Sequence, residues 1–154
     1  MSDKKKIVLA DASEEFRQML ADMIQEEADL AVCAQTGSGE ELLELISRHR
    51  PDVVIMDLML TGIDGVEVLE RLSDDRPRTL VLSAYCNAAL AEQITAHGGD
   101  YCMLKPCRAQ AVIERARTLA NGASAQLQDE NKNRDLERQV TAIIHEIGVP
   151  AKIF

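Results

Sequence analysis

A short apolar run that ends on a single carboxylate constrains this chain more than any other feature. The run is Val-Val-Ile-Met at residues 53–56, it leads directly into Asp57, and it lies between Pro51 and Gly62. A continuous apolar run of this length predicts a strand that is buried on both faces of a parallel sheet. A charge at the end of such a strand is costly unless that end opens into a polar site. Asp57 is therefore the first candidate functional residue.

Short apolar runs alternate with amphipathic segments along most of the chain. The predicted strands cover residues 7–10, 30–36, 53–57, 79–82 and 101–104, and the predicted helices cover residues 13–27, 40–49, 66–72, 88–97 and 109–121. Strands and helices that alternate at short spacing predict parallel crossover connections, with helices covering both faces of one sheet. The sequence thus predicts an α/β fold.

Polar side chains stand at the ends of four predicted strands. Asp11 follows the first strand, Asp57 ends the third, Ser83 follows the fourth and Lys105 follows the fifth. The carboxyl ends of parallel strands lie at one edge of the sheet, and ligand sites form at that edge. We therefore expect these four side chains to meet. Asp64, by contrast, is expected only to cap the helix that follows it.

The four groups together suit phosphoryl transfer. Asp11 and Asp57 provide two carboxylates for Mg²⁺, which prefers oxygen ligands, and a backbone carbonyl near Met59 adds a third oxygen. Asp57 is also a candidate nucleophile toward phosphorus. The Lys105 ammonium and the Ser83 hydroxyl would then contact the phosphoryl oxygens.

Composition narrows the range of partners. The chain of 154 residues carries a net charge of −9 and 3% aromatic residues, which argues against nonspecific binding of DNA or anionic membranes by this chain alone. No apolar run approaches the roughly 18 residues that span a bilayer, and residues 1–6 lack the apolar core of a signal peptide. We therefore expect a cytoplasmic protein with reduced thiols.

The C-terminal part of the chain differs in composition from the rest. Residues 122–134 are polar and rich in Gln and Asn, which predicts a linker. Within residues 135–154 apolar side chains recur at the spacing of an amphipathic helix; they are Leu136, Val140, Ile143, Ile144 and Ile147. The apolar face of this helix would pack on the domain itself, on a further domain or on a second chain. Of these, we expect a homodimer.

This sequence resembles the receiver domains of two-component response regulators at the residues that carry their motif, namely Asp11, Asp57, Ser83 and Lys105-Pro106. The resemblance covers about residues 5–121 of a predicted receiver domain at residues 1–121. It implies a flavodoxin-like (βα)5 parallel sheet of strand order 2-1-3-4-5, and Mg²⁺-dependent transfer of a phosphoryl group to Asp57. The donor would be a phosphohistidine of a histidine kinase or phosphotransfer protein. The domain would then switch protein contacts that control transcription, without acting as a turnover enzyme.

The C-terminal segment carries a second, local resemblance. Residues 143–151, Ile-Ile-His-Glu-Ile-Gly-Val-Pro-Ala, resemble the start of the DNA-binding domain of the sporulation master transcription regulators of spore-forming Firmicutes. That resemblance implies a helix-turn-helix domain after Phe154, and DNA binding only if that domain follows. It implies either a truncated chain or a natural protein that has lost its output domain.

Three positions depart from the receiver pattern. Ala12 stands where the family has a second acid after the first strand, which predicts a weakened Mg²⁺ site. Cys102 stands at the aromatic switch position, and the neighbouring Tyr101 is expected to face the opposite side of its strand. Leu60-Thr61 replaces the Met-Pro pair that many receivers have after the acceptor.

These departures leave two functional alternatives beside the phosphoryl acceptor. If the missing acid at Ala12 prevents productive Mg²⁺ binding, the domain is a pseudo-receiver, an interaction module that works without phosphorylation. A haloacid-dehalogenase-like phosphatase would also use an aspartate nucleophile. That class of enzyme needs a second acid two residues after the nucleophile, where this chain has Met59. We therefore favour the phosphoryl acceptor and keep the pseudo-receiver as its alternative.

Overall fold

The computed structural model describes residues 4–72, 76–85 and 87–122. The predicted helix at residues 135–154 lies outside the described residues, as does all of the predicted linker after Gly122. Within the described part of the chain, no helix is long and apolar enough to cross a membrane.

Five strands and five helices alternate along the chain. They are β1 Lys5–Ala10, α1 Glu14–Gln25, β2 Leu30–Thr36, α2 Gly39–His49, β3 Val53–Asp57, α3 Gly65–Arg71, β4 Arg78–Ser83, α4 Ala88–Ala96, β5 Tyr101–Leu104 and α5 Ala109–Ala120. All neighbouring strands are parallel, and their order in the sheet is β2-β1-β3-β4-β5. The predicted α/β class and the flavodoxin-like strand order are confirmed.

The helices cover the sheet in two layers. α1 and α5 pack on one face, where their apolar side chains join Ile7, Leu9 and Ile55 in one buried cluster. α2, α3 and α4 pack on the other face around Val8 and Val54. Because successive strand residues point to opposite faces, β3 contributes to both clusters and is buried along its whole length. Its central place in the sheet puts the end of β3 in the middle of the carboxyl edge.

Several helix boundaries differ from the prediction by one or two residues. α2 begins at Gly39 rather than Glu40, because the Ser38 hydroxyl caps the helix and accepts a hydrogen bond from the Glu41 N–H at 3.1 Å. α1 ends at Gln25, two residues before its predicted end. Apolar periodicity locates the body of a helix, whereas caps and local contacts set its ends.

The loop after β3 is joined to the loop after β2. The Thr61 N–H donates to the Gly37 carbonyl at 2.9 Å, and the Gly39 N–H donates to the Thr61 carbonyl at 3.0 Å. A Cβ on Gly39 would lie 2.2 Å from the Ile63 carbonyl oxygen, so the two loops approach closely. The second loop ends at Asp64, whose carboxylate caps α3 as predicted. This pairing fixes the segment at the carboxyl edge of the sheet.

Candidate functional site

Two buried carboxylates lie at the carboxyl edge of the sheet. Asp11 follows β1 and Asp57 ends β3, and these two strands are neighbours. Each of the two residues is only 5% exposed. Two negative charges at this depth require a counter-charge or a bound cation. The pair therefore marks the candidate site.

Lys105 supplies the counter-charge. Its ammonium nitrogen lies 2.7 Å from Asp11 Oδ2 and 2.5 Å from Asp57 Oδ2. Burial by itself lowers the pKa of Lys105, but the hydrogen bonds to the two carboxylates outweigh burial, and the pKa is raised above its ordinary value. The side chain is therefore charged at physiological pH and bridges both acids.

The second oxygen of each carboxylate accepts a backbone hydrogen bond. Asp11 Oδ1 accepts from the Ser13 N–H at 2.8 Å, and Asp57 Oδ1 accepts from the Met59 N–H at 2.7 Å. In both cases the donor stands two residues after the acid, a geometry that closes a turn. Each acid therefore fixes the loop that follows its strand while it also binds Lys105.

Helix α1 adds two residues that the sequence did not identify as part of the site. The centroid of the Phe16 ring lies 4.3 Å from the Lys105 ammonium, within the range of a cation–π contact. Arg17 Nη1 donates to the Asp11 carbonyl at 2.6 Å. Periodicity assigns Phe16 to the apolar face of α1. The available signal was its place in the first turn after Ser13, close to the sheet edge.

Ser83 lies at the same edge, with its hydroxyl turned toward the next loop. The residue is 4% exposed. Its hydroxyl donates to the Tyr85 carbonyl and accepts from the Tyr85 N–H at 3.1 Å. Its carbonyl accepts from the Lys105 N–H at 2.7 Å, which joins the ends of β4 and β5. Contact between this hydroxyl and a group on Asp57 would require rotation of the Ser83 side chain.

The departures from the receiver pattern have clear positions in the fold. Ala12 is exposed, next to buried Asp11. Cys102 is buried on the face covered by α2, α3 and α4. Tyr101 packs on the face covered by α1 and α5, where Arg115 Cζ lies 4.2 Å from the ring centroid. The prediction that Tyr101 and Cys102 face opposite sides of β5 is confirmed.

The donor set fits a divalent cation with two protein carboxylates. The position of the Lys105 ammonium shows that oxygens of Asp11 and Asp57 converge on one cation-sized place. Among the described residues, no group of three or more His, Cys, Asp or Glu side chains could hold a metal ion. The predicted third oxygen, the Met59 carbonyl, belongs to the turn that Asp57 closes. Water would have to supply the remaining ligands.

Comparison with family models identifies one match. The model of the response regulator receiver domain matches residues 7–117. The match contains β2 to β5 completely and β1 from Ile7 onward, and it includes the three residues of the Lys105 bridge, namely Asp11, Asp57 and Lys105.

Comparison with solved structures finds the same fold in receiver domains from several organisms. The signal receiver domain of the response regulator NarL from Mycobacterium tuberculosis is 27% identical, with a TM-score of 0.74, over 79% of this chain and 99% of that one. A DNA-binding response regulator of the LuxR family from Staphylococcus aureus is 21% identical, with a TM-score of 0.70, over 75% of this chain and 98% of that one. A CheY-like receiver domain protein from Methanospirillum hungatei is 17% identical, with a TM-score of 0.71, over 77% of this chain and 95% of that one.

Proposed function

Because the chain belongs to the response regulator receiver domain family, we propose that Asp57 accepts a phosphoryl group from a phosphohistidine of a histidine kinase or phosphotransfer protein. The observation that carries this proposal is the bridge in which the Lys105 ammonium contacts both Asp11 and Asp57. Phosphoryl transfer needs a positioned nucleophile with positive charge beside it, and this bridge supplies both.

In the proposed step, a carboxylate oxygen of Asp57 attacks phosphorus. The new P–O bond forms as the P–N bond to the donor imidazole breaks, and the imidazole nitrogen keeps the electron pair and takes a proton from water. Lys105 lies 2.5 Å from Asp57 Oδ2, so its ammonium would move a short way to a phosphoryl oxygen. Ser83 would leave Tyr85 and direct its hydroxyl to another of the phosphoryl oxygens.

The residues that would hold Mg²⁺ are Asp11 and Asp57, with the Met59 carbonyl as a further oxygen. When bound, Mg²⁺ supplies positive charge to the oxygens of the transferred group. The chain's own part is to bury the two carboxylates and to orient them through the N–H groups of Ser13 and Met59. Because Ala12 offers no carboxylate, we expect the site to bind Mg²⁺ weakly.

Phosphorylation would make this domain a switch rather than a turnover enzyme. A phosphoryl group adds negative charge at the sheet edge, and such a charge biases surfaces that have two arrangements. We propose that the switched contacts control transcription, and the DNA-binding relative from Staphylococcus aureus supports this direction. The expected cytoplasmic location rests on the sequence and remains part of this proposal.

The finer resemblance to sporulation regulators depends on residues 143–151, which lie outside the described residues. The family model matches residues 7–117, and the solved structures reported above belong to other regulators. Neither comparison supports the sporulation assignment, which therefore stays a prediction from the sequence.

A pseudo-receiver is the second candidate, and the hydrogen bonds of the bridge favour it. All four carboxylate oxygens of Asp11 and Asp57 already accept a hydrogen bond. A divalent cation at the place of the Lys105 ammonium must displace it. It then gains two carboxylates rather than three, because Ala12 stands where the receiver pattern has a second acid. If displacement fails, the domain keeps its fold and acts through protein contacts alone.

Beryllofluoride with Mg²⁺ separates the two candidates, since it mimics a phosphoryl group on an aspartate. For the phosphoryl acceptor, amide NMR signals near Asp57, Ser83 and Lys105 shift in the wild type, and Asp57→Asn abolishes the shift. No shift in the wild type together with a shift in Ala12→Asp would establish the pseudo-receiver. No shift in either protein would contradict both the acceptor role and the missing-acid explanation.

A further inference from the structure

Four contacts connect Phe16 to the site in a closed ring of residues, namely Asp11, Ser13, Phe16 and Lys105. Asp11 Oδ1 accepts from the Ser13 N–H at 2.8 Å, and Ser13 Oγ accepts from the Phe16 N–H at 3.1 Å. The Phe16 ring lies 4.3 Å from the Lys105 ammonium, which returns to Asp11 Oδ2 at 2.7 Å. The start of α1 and the position of Lys105 are therefore set by the same carboxylate.

The Phe16 ring contacts both the ammonium and the apolar core. The Lys105 side chain is 21% exposed, so the ring replaces part of the hydration that a free ammonium would have. Phe16 also packs against the buried cluster under α1 and α5. Packing on this side limits the movement of the half-buried ring, which in turn restrains Lys105.

We propose that Phe16 is a positioning residue that holds the Lys105 ammonium on Asp11 and Asp57 and thereby weakens divalent cation binding at this site. This inference rests on the proposed function only for the choice of Mg²⁺ as the cation. A cation that binds at the place where the ammonium contacts both carboxylates must displace Lys105, so every contact that stabilises the ammonium there opposes the cation. Loss of the ring should therefore strengthen Mg²⁺ binding.

The first test is a titration of the full chain with MgCl₂, followed by amide NMR. A cation–π contact of this kind corresponds to a roughly two- to fivefold change in an equilibrium constant. Phe16→Leu is expected to lower the Kd for Mg²⁺ by that factor, because it keeps an apolar side chain but lacks the aromatic face. Phe16→Tyr retains the face and should keep the wild-type Kd. An unchanged Kd in Phe16→Leu would overturn the proposal.

Met23 provides a matched control for packing. It lies on the same helix and packs against the same buried cluster as Phe16. Met23→Leu should leave the Kd for Mg²⁺ unchanged. If Met23→Leu lowers the Kd as much as Phe16→Leu does, the effect comes from core packing and the positioning role is wrong.

Combining Phe16→Leu with Lys105→Met tests whether Phe16 affects Mg²⁺ binding through Lys105. Without the ammonium there is nothing for the ring to hold, so Phe16→Leu should leave the Kd unchanged in that background. A decrease of the same size with and without Lys105 would contradict the proposal.

A metal-free measurement separates this inference from the proposed function. Denaturant unfolding without Mg²⁺ gives the ratio of folded to unfolded protein. Phe16→Leu should reduce this ratio both in the protein with Lys105 and in the Lys105→Met background. The reduction should be roughly two to five times larger in the protein with Lys105. If Phe16→Leu does not fold, Phe16→Met serves in the same cycle. Equal reductions in both backgrounds overturn the positioning role. Unequal reductions with no Mg²⁺ binding by the wild type support it and contradict the phosphoryl acceptor instead.

Discussion

At the scale of single residues, the central feature is that Lys105 stands where a divalent cation would bind. Burying Asp11 and Asp57 without a partner would cost several kcal/mol for each charge. The ammonium offsets this cost, so the domain can bury its two acids with Lys105 as their partner. The same contact would oppose metal binding at this place, because the ammonium would have to leave before a cation could take its position.

The missing acid at Ala12 gives a prediction at this scale. Ala12→Asp places a carboxylate at an exposed position beside Asp11. A unit charge about 5 Å from a divalent cation is worth more than about 1 kcal/mol even in water, so the affinity for Mg²⁺ should rise roughly tenfold or more. Calorimetric titration with MgCl₂ measures the change. Ala12→Asn, of similar size and without charge, should stay near the wild-type affinity, and an equal gain there would refute the electrostatic explanation.

At the scale of elements, the paired loops after β2 and β3 support the segment that carries Met59. Gly39→Ala would place a Cβ 2.2 Å from the Ile63 carbonyl oxygen, so one loop must shift. We expect a loss of roughly 1–3 kcal/mol in the free energy of unfolding, the usual range for overpacking. Urea unfolding measures it. Glu44→Ala, at an exposed position of the same helix, should cost far less; comparable losses in the two variants would show that the close approach is unimportant.

A second element-scale contact ties α5 to the segment between α1 and β2. Arg117 Nε donates to Asp29 Oδ2 at 2.7 Å, and its guanidinium also pairs with Glu27 and Glu114. The hydrogen bond from Arg117 lowers the pKa of Asp29. A carboxyl whose pKa is lowered by folding contributes stability above its unfolded pKa, and this contribution disappears as the pH falls through the folded pKa.

Arg117→Gln should therefore have a pH-dependent effect. At neutral pH we expect it to cost roughly 0.5–1 kcal/mol, a figure that allows for solvent screening of the exposed partners. The difference from the wild type should shrink as the pH falls below about 4. Denaturant unfolding at several pH values checks both points. Arg108→Gln removes the same charge from the exposed N-cap of α5 and should show no such trend; a constant effect of Arg117→Gln down to low pH would contradict the pairing.

At the scale of the whole molecule, the sequence was most informative where burial is continuous. The apolar runs located β1, β3, β4 and β5 because strands that are mostly buried have little polar interruption. The edge strand β2 is only partly buried, but it too begins with an apolar run at residues 30–34. The polar residues that end the runs located Asp11, Asp57 and Lys105. Contacts between elements were harder to predict from the sequence. The pairing of Ser38 with Thr61 joins two loops through backbone atoms, and the contact of Phe16 with Lys105 depends on packing across the sheet edge. Neither leaves a pattern at short sequence separation.

The predicted homodimer also belongs to this scale. A chain ending at Gly122 keeps every buried residue of both clusters of the described fold, so it should fold on its own. The predicted amphipathic helix at residues 135–154 should make the full chain a dimer and the shortened chain a monomer. Light scattering of both proteins measures this. If both proteins are monomers, the predicted homodimer is wrong. If both are dimers, the interface lies within the shortened chain and not in the predicted helix.

Intact mass spectrometry after incubation with acetyl phosphate and MgCl₂ tests the central claim most directly. We expect the wild type to gain the mass of one phosphoryl group and Asp57→Asn to gain none. Asp64→Asn, which alters the cap of α3 at the end of the same loop, should gain the group as the wild type does. A wild type that gains no mass at several millimolar Mg²⁺, or an Asp57→Asn variant that gains as much as the wild type, would contradict the account.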